Sequence, residues 1–205
     1  PDLIAKKIRG VWRVELNPAV SRKLYINPEY ERLSEKPRDS EEGKYLGEKL
    51  QSARWFIKGL QGRYETLLRV ARSIVVRQEE FLDYGELGMK PMVLNDVAQE
   101  LGMHESTISR ATSNKYMLTP AGVFELKYFF TSSVSGIDGD PTSSTAVRSL
   151  IKKLIEGEPV NKPISDNGIA NMLNQKGYSV ARRTIAKYRE SMNIPSSSKR
   201  KGLII

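Results

Sequence analysis

The stretch from Ala181 to Glu190 reads Ala-Arg-Arg-Thr-Ile-Ala-Lys-Tyr-Arg-Glu. At 100° per residue, Arg182, Arg183, Lys187 and Arg189 are read on one side of a helix. Ile185, Tyr188 and Met192 are read on the other. The pattern describes a helix with a buried back and a cationic front. Guanidinium forks suit guanine edges and phosphate oxygens in geometry as well as charge. A solvated charged face on an ordinary surface helix is the competing reading, and the surrounding sequence has to decide between them.

The charge distribution favours a polyanionic partner. The 205-residue chain carries a formal net charge of +9, and its pI is about 9.6. Residues 181–205 hold seven basic groups and one acidic group, two thirds of the whole excess. A basic helix on a membrane surface would need Trp, Phe or Leu on its apolar side, and this one has none. Cysteine is absent, which excludes disulfides and thiolate zinc sites, zinc fingers among them. No apolar run approaches the length of a membrane span, and no export signal is visible. The sequence opens on Pro1 and runs at once into strand-like residues, which reads as a fragment of a longer protein.

The elements that must position this helix follow from periodicity. Residues 146–155 form an amphipathic helix, and Asp166 to Lys176 form a second, with Ser165 as N-cap. The basic decapeptide is the third. An earlier segment repeats this layout. Val97, Ala98 and Leu101 line the inner face of one helix, Gly102 allows a tight turn, and Met103 and Ile108 plug the core. Ser106, Ser109 and Arg110 point away from Ile108, where a recognition helix meets base edges. Ile169, Ala170 and Leu173 echo the first helix, and Thr184 to Lys187 echo Thr107 to Arg110, with a turn longer by five residues. The chain therefore reads as two helix-turn-helix units. Residues 132–145, rich in Ser, Thr, Gly and Asp, read as the flexible linker between them, and avidity would then follow linker reach.

Upstream, Val11 to Leu16 alternate as a strand with Trp12, Val14 and Leu16 on the apolar face. Residues 34–43 read as a mobile loop. From Lys44 to about Asp83 the pattern is helical, with Tyr45, Leu46, Leu50, Ala53, Trp55, Phe56, Ile57 and Leu60 as a broad apolar stripe. Gly62 permits a break there. Arg63, Arg69, Arg72 and Arg77 follow it, either as solvated charges or as a face beside DNA or a partner, with Glu65 and Arg69 as an i,i+4 pair. The aromatic run Val123 to Phe130 reads as a strand or short helix that packs rather than binds. The fold class is mainly α, helical bundles with two helix-turn-helix units and minor β near the N-terminus. The expected divisions are 1–43, 44–84, 85–131, 132–145 and 146–205.

The decapeptide resembles the RpoN box, the signature of the sigma-54 class of bacterial RNA polymerase sigma factors. The similarity continues in Lys90 to Leu94, Met103 to Arg110, Phe124 to Phe130 and Ile194 to Ser196, from about Val14 onward. Ile185 stands where Val is usual. The resemblance implies a sigma factor that recognises −24 (GG) and −12 (GC) promoter elements and recruits core RNA polymerase for transcription initiation, dependent on an AAA+ activator in the full-length protein. It assigns residues 1–43 to the end of the core-binding domain. The glutamine-rich regulatory region and the acidic segment after it are absent from the sequence, and with them the activator contact. A cytoplasmic, nucleoid-associated location is implied as well. The expected contacts to the upstream GG element are Arg182, Arg183, Thr184, Lys187, Tyr188 and Arg189. Arg182 and Arg183 are placed for guanine, while Lys187, Arg189 and the Tyr188 hydroxyl meet phosphate or support the helix. Glu105, Ser106, Thr107, Ser109 and Arg110 are the expected contacts to the downstream GC element. Lys199, Arg200 and Lys201 would add attraction blind to sequence.

Two other readings stand beside it. A transposase or recombinase would need a carboxylate trio or an activated nucleophile. Asp138 and Asp140 lie in the expected linker, Tyr188 faces the buried side, and His104, the one histidine, opens a recognition helix. The chain is therefore not read as an enzyme, and no cofactor or metal is expected. A two-headed repressor would bind operators without polymerase.

Overall fold

The structure, a computed structural model, describes residues 1–21, 23–34, 41–134 and 142–201. It is mainly helical with a small sheet, as expected. Strands β1 (Leu3–Ile8) and β2 (Val11–Leu16) form a hairpin across Arg9 and Gly10, which both have positive φ. Helix α1 (Pro28–Ser34) precedes α2 (Glu41–Arg77), α3 (Glu79–Tyr84) and a 3-10 turn, Gly85–Gly88. Helices α4 (Leu94–Leu101) and α5 (Glu105–Thr112) follow, then strands β3 (Tyr116–Thr119) and β4 (Gly122–Glu125). A second 3-10 turn, Leu126–Phe129, precedes the short strands β5 (Ser133–Val134) and β6 (Thr142–Ser143). Helices α6 (Ser144–Glu156), α7 (Asp166–Gln175), α8 (Arg182–Ser191) and α9 (Ser197–Arg200) complete the chain.

The strand over Val11 to Leu16 is present, with Trp12 and Val14 buried. The strand-like run after Pro1 is β1, whose pairing with β2 as a hairpin was not expected. β1 also pairs in parallel with β3 to give the sheet order β2-β1-β3-β4. One continuous core therefore takes Leu3 and Ala5 from β1, Ile74 and Val75 from α2, Val97 from α4, Ile108 from α5, and Met117 and Phe129. The expected divisions at residues 43 and 84 are not breaks in that core. The hairpin needs the helical region to cover its apolar face, and the helices need the sheet.

Helix α2 runs unbroken through Gly62, contrary to the expected break, and is about 55 Å long. A mid-helix glycine costs only about 1 kcal/mol, and the packed residues on its C-terminal side outweigh that. Burial is concentrated there, at Leu67, Val70, Ala71, Ile74 and Val75. In the N-terminal half only Leu50 is buried, and Trp55 and Phe56 are 70% and 66% exposed. The broad stripe narrows because that half projects past the core, where residues 24–26 and α1 cover one side alone. Arg69 does not pair with Glu65. It donates to the Leu101 carbonyl at 3.2 Å, and Arg77 donates to Glu100 at 2.9 Å, both fastening α4 to α2. Ser73 Oγ donates to the same Glu100 carboxylate at 2.8 Å.

At the end of α2, Gln78 is fully buried. Its amide donates to the carbonyls of Lys90 and Phe129 and accepts from the Lys90 N–H at 2.9 Å. This exchange ties the helix terminus to the segment that leads into α4. The aromatic run packs as expected, with Phe124, Tyr128 and Phe129 arranged around Phe81 at centroid distances of 5.2, 6.0 and 5.2 Å. It supplies β4 and a 3-10 turn rather than one element.

A second core holds the C-terminal unit together: Val147, Ile151 and Ile155 of α6, Ile169 and Leu173 of α7, and Ile185 of α8. Part of the expected linker is ordered. β5 and β6 pair antiparallel, Ser143 caps α6, and the Ser144 N–H donates to the Ser132 carbonyl. The flexible reading of residues 135–141 lies outside the described residues.

Gly88 marks the tightest backbone approach. A β-carbon there would lie 2.2 Å from the Glu80 carbonyl oxygen, so Gly88→Ala should lower stability by about 1–3 kcal/mol. Gly62 faces open space, and Gly62→Ala should raise stability by roughly 0.4–1 kcal/mol. Urea midpoints of the two variants should move in opposite directions.

Candidate nucleic-acid interface

Two short helices have the build of readers, and each is set by a helix before it. In the first pair, Gly102 ends α4 in the left-handed conformation at φ 63°, where a side chain is disfavoured. The Val93 N–H donates to Asp96 at the start of α4. His104 then caps α5: its Nδ1 accepts from the Ser106 N–H at 3.2 Å and lies 2.8 Å from the Ser106 hydroxyl. Ile108 is fully buried. That burial turns Glu105, Ser106, Thr107 and Arg110 to solvent, with Ser109 half-buried.

A cleft of about 770 Å³ lies beside α5, lined by Arg63 and Thr66 of α2, Thr107 and Arg110 of α5, and Lys115. Of the four arginines singled out on α2, Arg63, Arg69 and Arg72 are exposed and Arg77 is half-buried, and Arg69 and Arg77 hold α4. Lys115 is paired with Asp2 at 3.0 Å, so part of its charge is already answered. Its hydrogen bonds and the Tyr116 N–H outweigh burial and hold the Asp2 carboxyl below the usual range.

The second pair begins with Ser165, whose hydroxyl accepts from the Gly168 N–H at 3.1 Å, as an N-cap should. The Asn174 side chain accepts from the Val180 N–H and shapes the longer turn. On α8, Ile185 is fully buried. Arg182, Arg183 and Lys187 are exposed, and Thr184 is half-buried. Among the described residues, none of these three cations makes an ion pair. Tyr188 is half-buried against the second core, with the Arg148 guanidinium 5.0 Å above its ring.

Arg189 does not belong to the cationic front. It lies two residues past Lys187 but only about 40° around the helix from Ile185, so the expected grouping of four placed it on the wrong side. The side chain is 6% exposed. Its Nε and one terminal nitrogen donate to the two oxygens of Asp166 at 2.8 and 3.0 Å, and the other terminal nitrogen donates to the Ile194 carbonyl at 2.7 Å. Arg200, expected to add loose attraction at the tail, is buried as well. It forks onto Glu158 and donates to the carbonyls of Pro195 and Ile164. Sequence reasoning missed Asp166 and Glu158 as their partners. The available signal was an acidic residue at the start of α7 combined with an arginine on the apolar side of α8.

The hydrogen bonds from Arg189 hold the Asp166 carboxyl below its usual range, against the opposing effect of burial. The same bonds raise the Arg189 guanidinium. Burial pushes Glu158 up, but the bonds from Arg200 and the Ile164 N–H outweigh it and the net direction is down.

Comparison with known proteins places this geometry. Residues 43–202 match the family described as "Sigma-54, DNA binding domain". The chain belongs to the sigma-54 family. It is 53% identical over 204 residues to the RNA polymerase sigma-54 factor of Azotobacter vinelandii, matching all of this chain and 41% of the relative. The corresponding factor of Vibrio anguillarum is 54% identical over 204 residues, of which 42% is covered. The sigma-54 chain thus spans about two fifths of the length of these curated relatives. A crystal structure of Aquifex aeolicus sigmaN bound to promoter DNA is similar, with a TM-score of 0.64 at 38% identity, over 97% of this chain and 59% of that one. No helix among the described residues is long and apolar enough to cross a membrane.

The two carboxylates make the stability of this sigma-54 C-terminal unit sensitive to acid. Their folded-state pKa values lie below the unfolded ones, so the stabilisation is complete above the unfolded values, roughly pH 4. It is lost as pH falls through the folded values. Unfolding of the C-terminal unit, followed by thermal melts from pH 7 to pH 2, should weaken below about pH 4. Asp166→Asn should flatten part of that dependence.

Proposed function

We propose that this chain is the promoter-recognition part of a sigma-54-type sigma factor. In this reading α8 enters the major groove at the upstream −24 (GG) element, with Arg182 and Arg183 on guanine O6 and N7. Lys187 meets phosphate, Thr184 supports the contact from the half-buried edge, and Tyr188 acts mainly by packing. Helix α5 faces the downstream −12 (GC) element through Glu105, Ser106, Thr107, Ser109 and Arg110, with Arg63 lending charge from the cleft beside it. Residues 1–43 and the helical region take part in recruiting core RNA polymerase for transcription initiation. The response to an AAA+ activator belongs to parts of the family pattern outside residues 1–205.

One observation carries the reading: three unpaired cations stand on the outer face of a short helix whose back is locked into the core. Basic groups that fold the protein are paired, as Arg189 and Arg200 are. On α8 the ones left free, Arg182, Arg183 and Lys187, are those assigned to DNA. The polarity of α5 supports a division of labour in which α8 supplies most of the grip and α5 adds local selectivity.

Binding to a duplex with both elements, measured by fluorescence anisotropy, tests this. Arg182→Ala and Arg183→Ala should each weaken binding by about tenfold or more, because a bidentate guanine contact contributes roughly 1–3 kcal/mol. Lys187→Ala should weaken binding equally on any sequence and reduce the salt slope by about one. Full affinity in both arginine variants sinks the assignment of α8. Failure to retain core polymerase in a pull-down would favour the repressor reading instead.

A further inference from the structure

Helix α8 has ten residues and is about 15 Å long. Ile185 pins its middle to the core, with Tyr188 and Met192 packed beside it, but apolar packing is non-directional and does not by itself fix the angle of a short helix. A second restraint comes one turn later from the Arg189 fork. It joins α8 to the first residue of α7 and to the chain that leaves α8 at Ile194. The Arg200–Glu158 fork braces the same end. It links α9 to the α6–α7 connection, where Glu158 also accepts from the Ile164 N–H at 2.8 Å. No buried side-chain nitrogen or oxygen among the described residues lacks a partner. Two arginines and two carboxylates have thus been withdrawn from solvent beneath the start of the helix, close enough to Arg182 for its charge to act on Asp166.

Burying four charges is a poor way to gain stability, since well-packed apolar residues often do as well. What an arginine–carboxylate fork supplies is angle: two parallel bonds fix the plane of the guanidinium against the carboxylate. Arg182 begins the helix about 10 Å from Arg189. A rotation of about 10° at the fork would displace it by nearly 2 Å, several times the tolerance of about 0.5 Å for a positioned polar contact.

We propose that Arg189 is a positioning residue, and that its fork to Asp166 fixes the angle of α8 so that discrimination for guanine by Arg182 and Arg183 depends on it. The proposal rests on the reading of α8 as the reader helix. It assigns the basic residue of the helix that touches no DNA a role in specificity and none in overall grip.

The test uses the 205-residue chain and two duplexes, one with the GG step and one with AA in its place, and compares the ratio of the two Kd values. Circular dichroism and thermal melts are recorded for every variant. Asp166→Asn and Arg189→Lys should lower the ratio about tenfold, while the Kd on the AA duplex and its salt slope stay as in the wild type. Where a single substitution leaves an unpaired buried charge and prevents folding, the apolar pair Asp166→Leu with Arg189→Met decides. It removes the fork without stranding a charge, and should fold, bind the AA duplex normally and lose the preference. A folded variant that keeps the wild-type ratio overturns the proposal, because the fork would then only stabilise. The underlying reading fails separately: a ratio of one in the wild type, or a full ratio in both Arg182→Ala and Arg183→Ala, removes α8 as reader and the proposal with it.

Discussion

A ten-residue helix has no orientation of its own, and the proposed reading of promoter DNA depends on how α8 acquires one. Ile185 is buried in the middle of the helix, and Arg189 is locked to Asp166 near its end. With those two contacts made, the strip that faces outward carries Arg183 and Lys187, and Arg182 stands exposed as the first residue of the helix. The fork also explains why the C-terminal segment keeps a compact core despite its charge. Of its seven basic residues, two are neutralised internally by carboxylates from earlier in the chain. The remaining positive charge lies outside, where repulsion is screened and polyanions are attracted.

The other proposed reader, α5, is built by a different balance. Helix α5 is held by Ile108 and by the His104 cap, and α4 beneath it is fastened to α2 through Glu100 and the Leu101 carbonyl. Helix α2 thereby acts as a girder. Its C-terminal half lies in the core shared with the sheet, and its N-terminal half projects past that core with aromatic residues exposed. The β5–β6 pair and the start of α6, which packs on the Gly85–Gly88 turn, join the two units. The relation between α5 and α8 is therefore set partly by contacts between ordered segments.

What the sequence made legible follows from how local each signal is. Helices α5 and α8, the Ser165 cap and the Gly102 turn were readable because caps, turns and apolar spacing are decided within a few residues. Strand β1 was legible only as a strand-like run after Pro1, and its hairpin with β2 was not, because Leu3 to Ile8 alternate poorly and the Arg9–Gly10 turn is a weak hairpin signal. Its parallel pairing with β3 spans more than a hundred residues, a separation no local pattern encodes. The roles of Arg69, Arg77, Arg189 and Arg200 were misread for one shared reason. Composition counts an arginine as charge, whereas in the fold each meets a carboxylate or carbonyl from a distant element. The exposed cations of α8 proposed as the site, Arg182, Arg183 and Lys187, were legible, and the buried fork between Arg189 and Asp166 was not.

The central claim is that the front of α8 reads guanine through its major-groove edge. Methylation interference at guanine N7 tests it most directly, on a duplex carrying the GG and GC elements. The account predicts that N7-methylation within the GG step blocks binding by the wild-type chain, and that this interference disappears when Arg182 and Arg183 are both replaced by alanine. Binding that is indifferent to N7-methylation at the GG step, with the protein folded and the duplex otherwise bound, would contradict it.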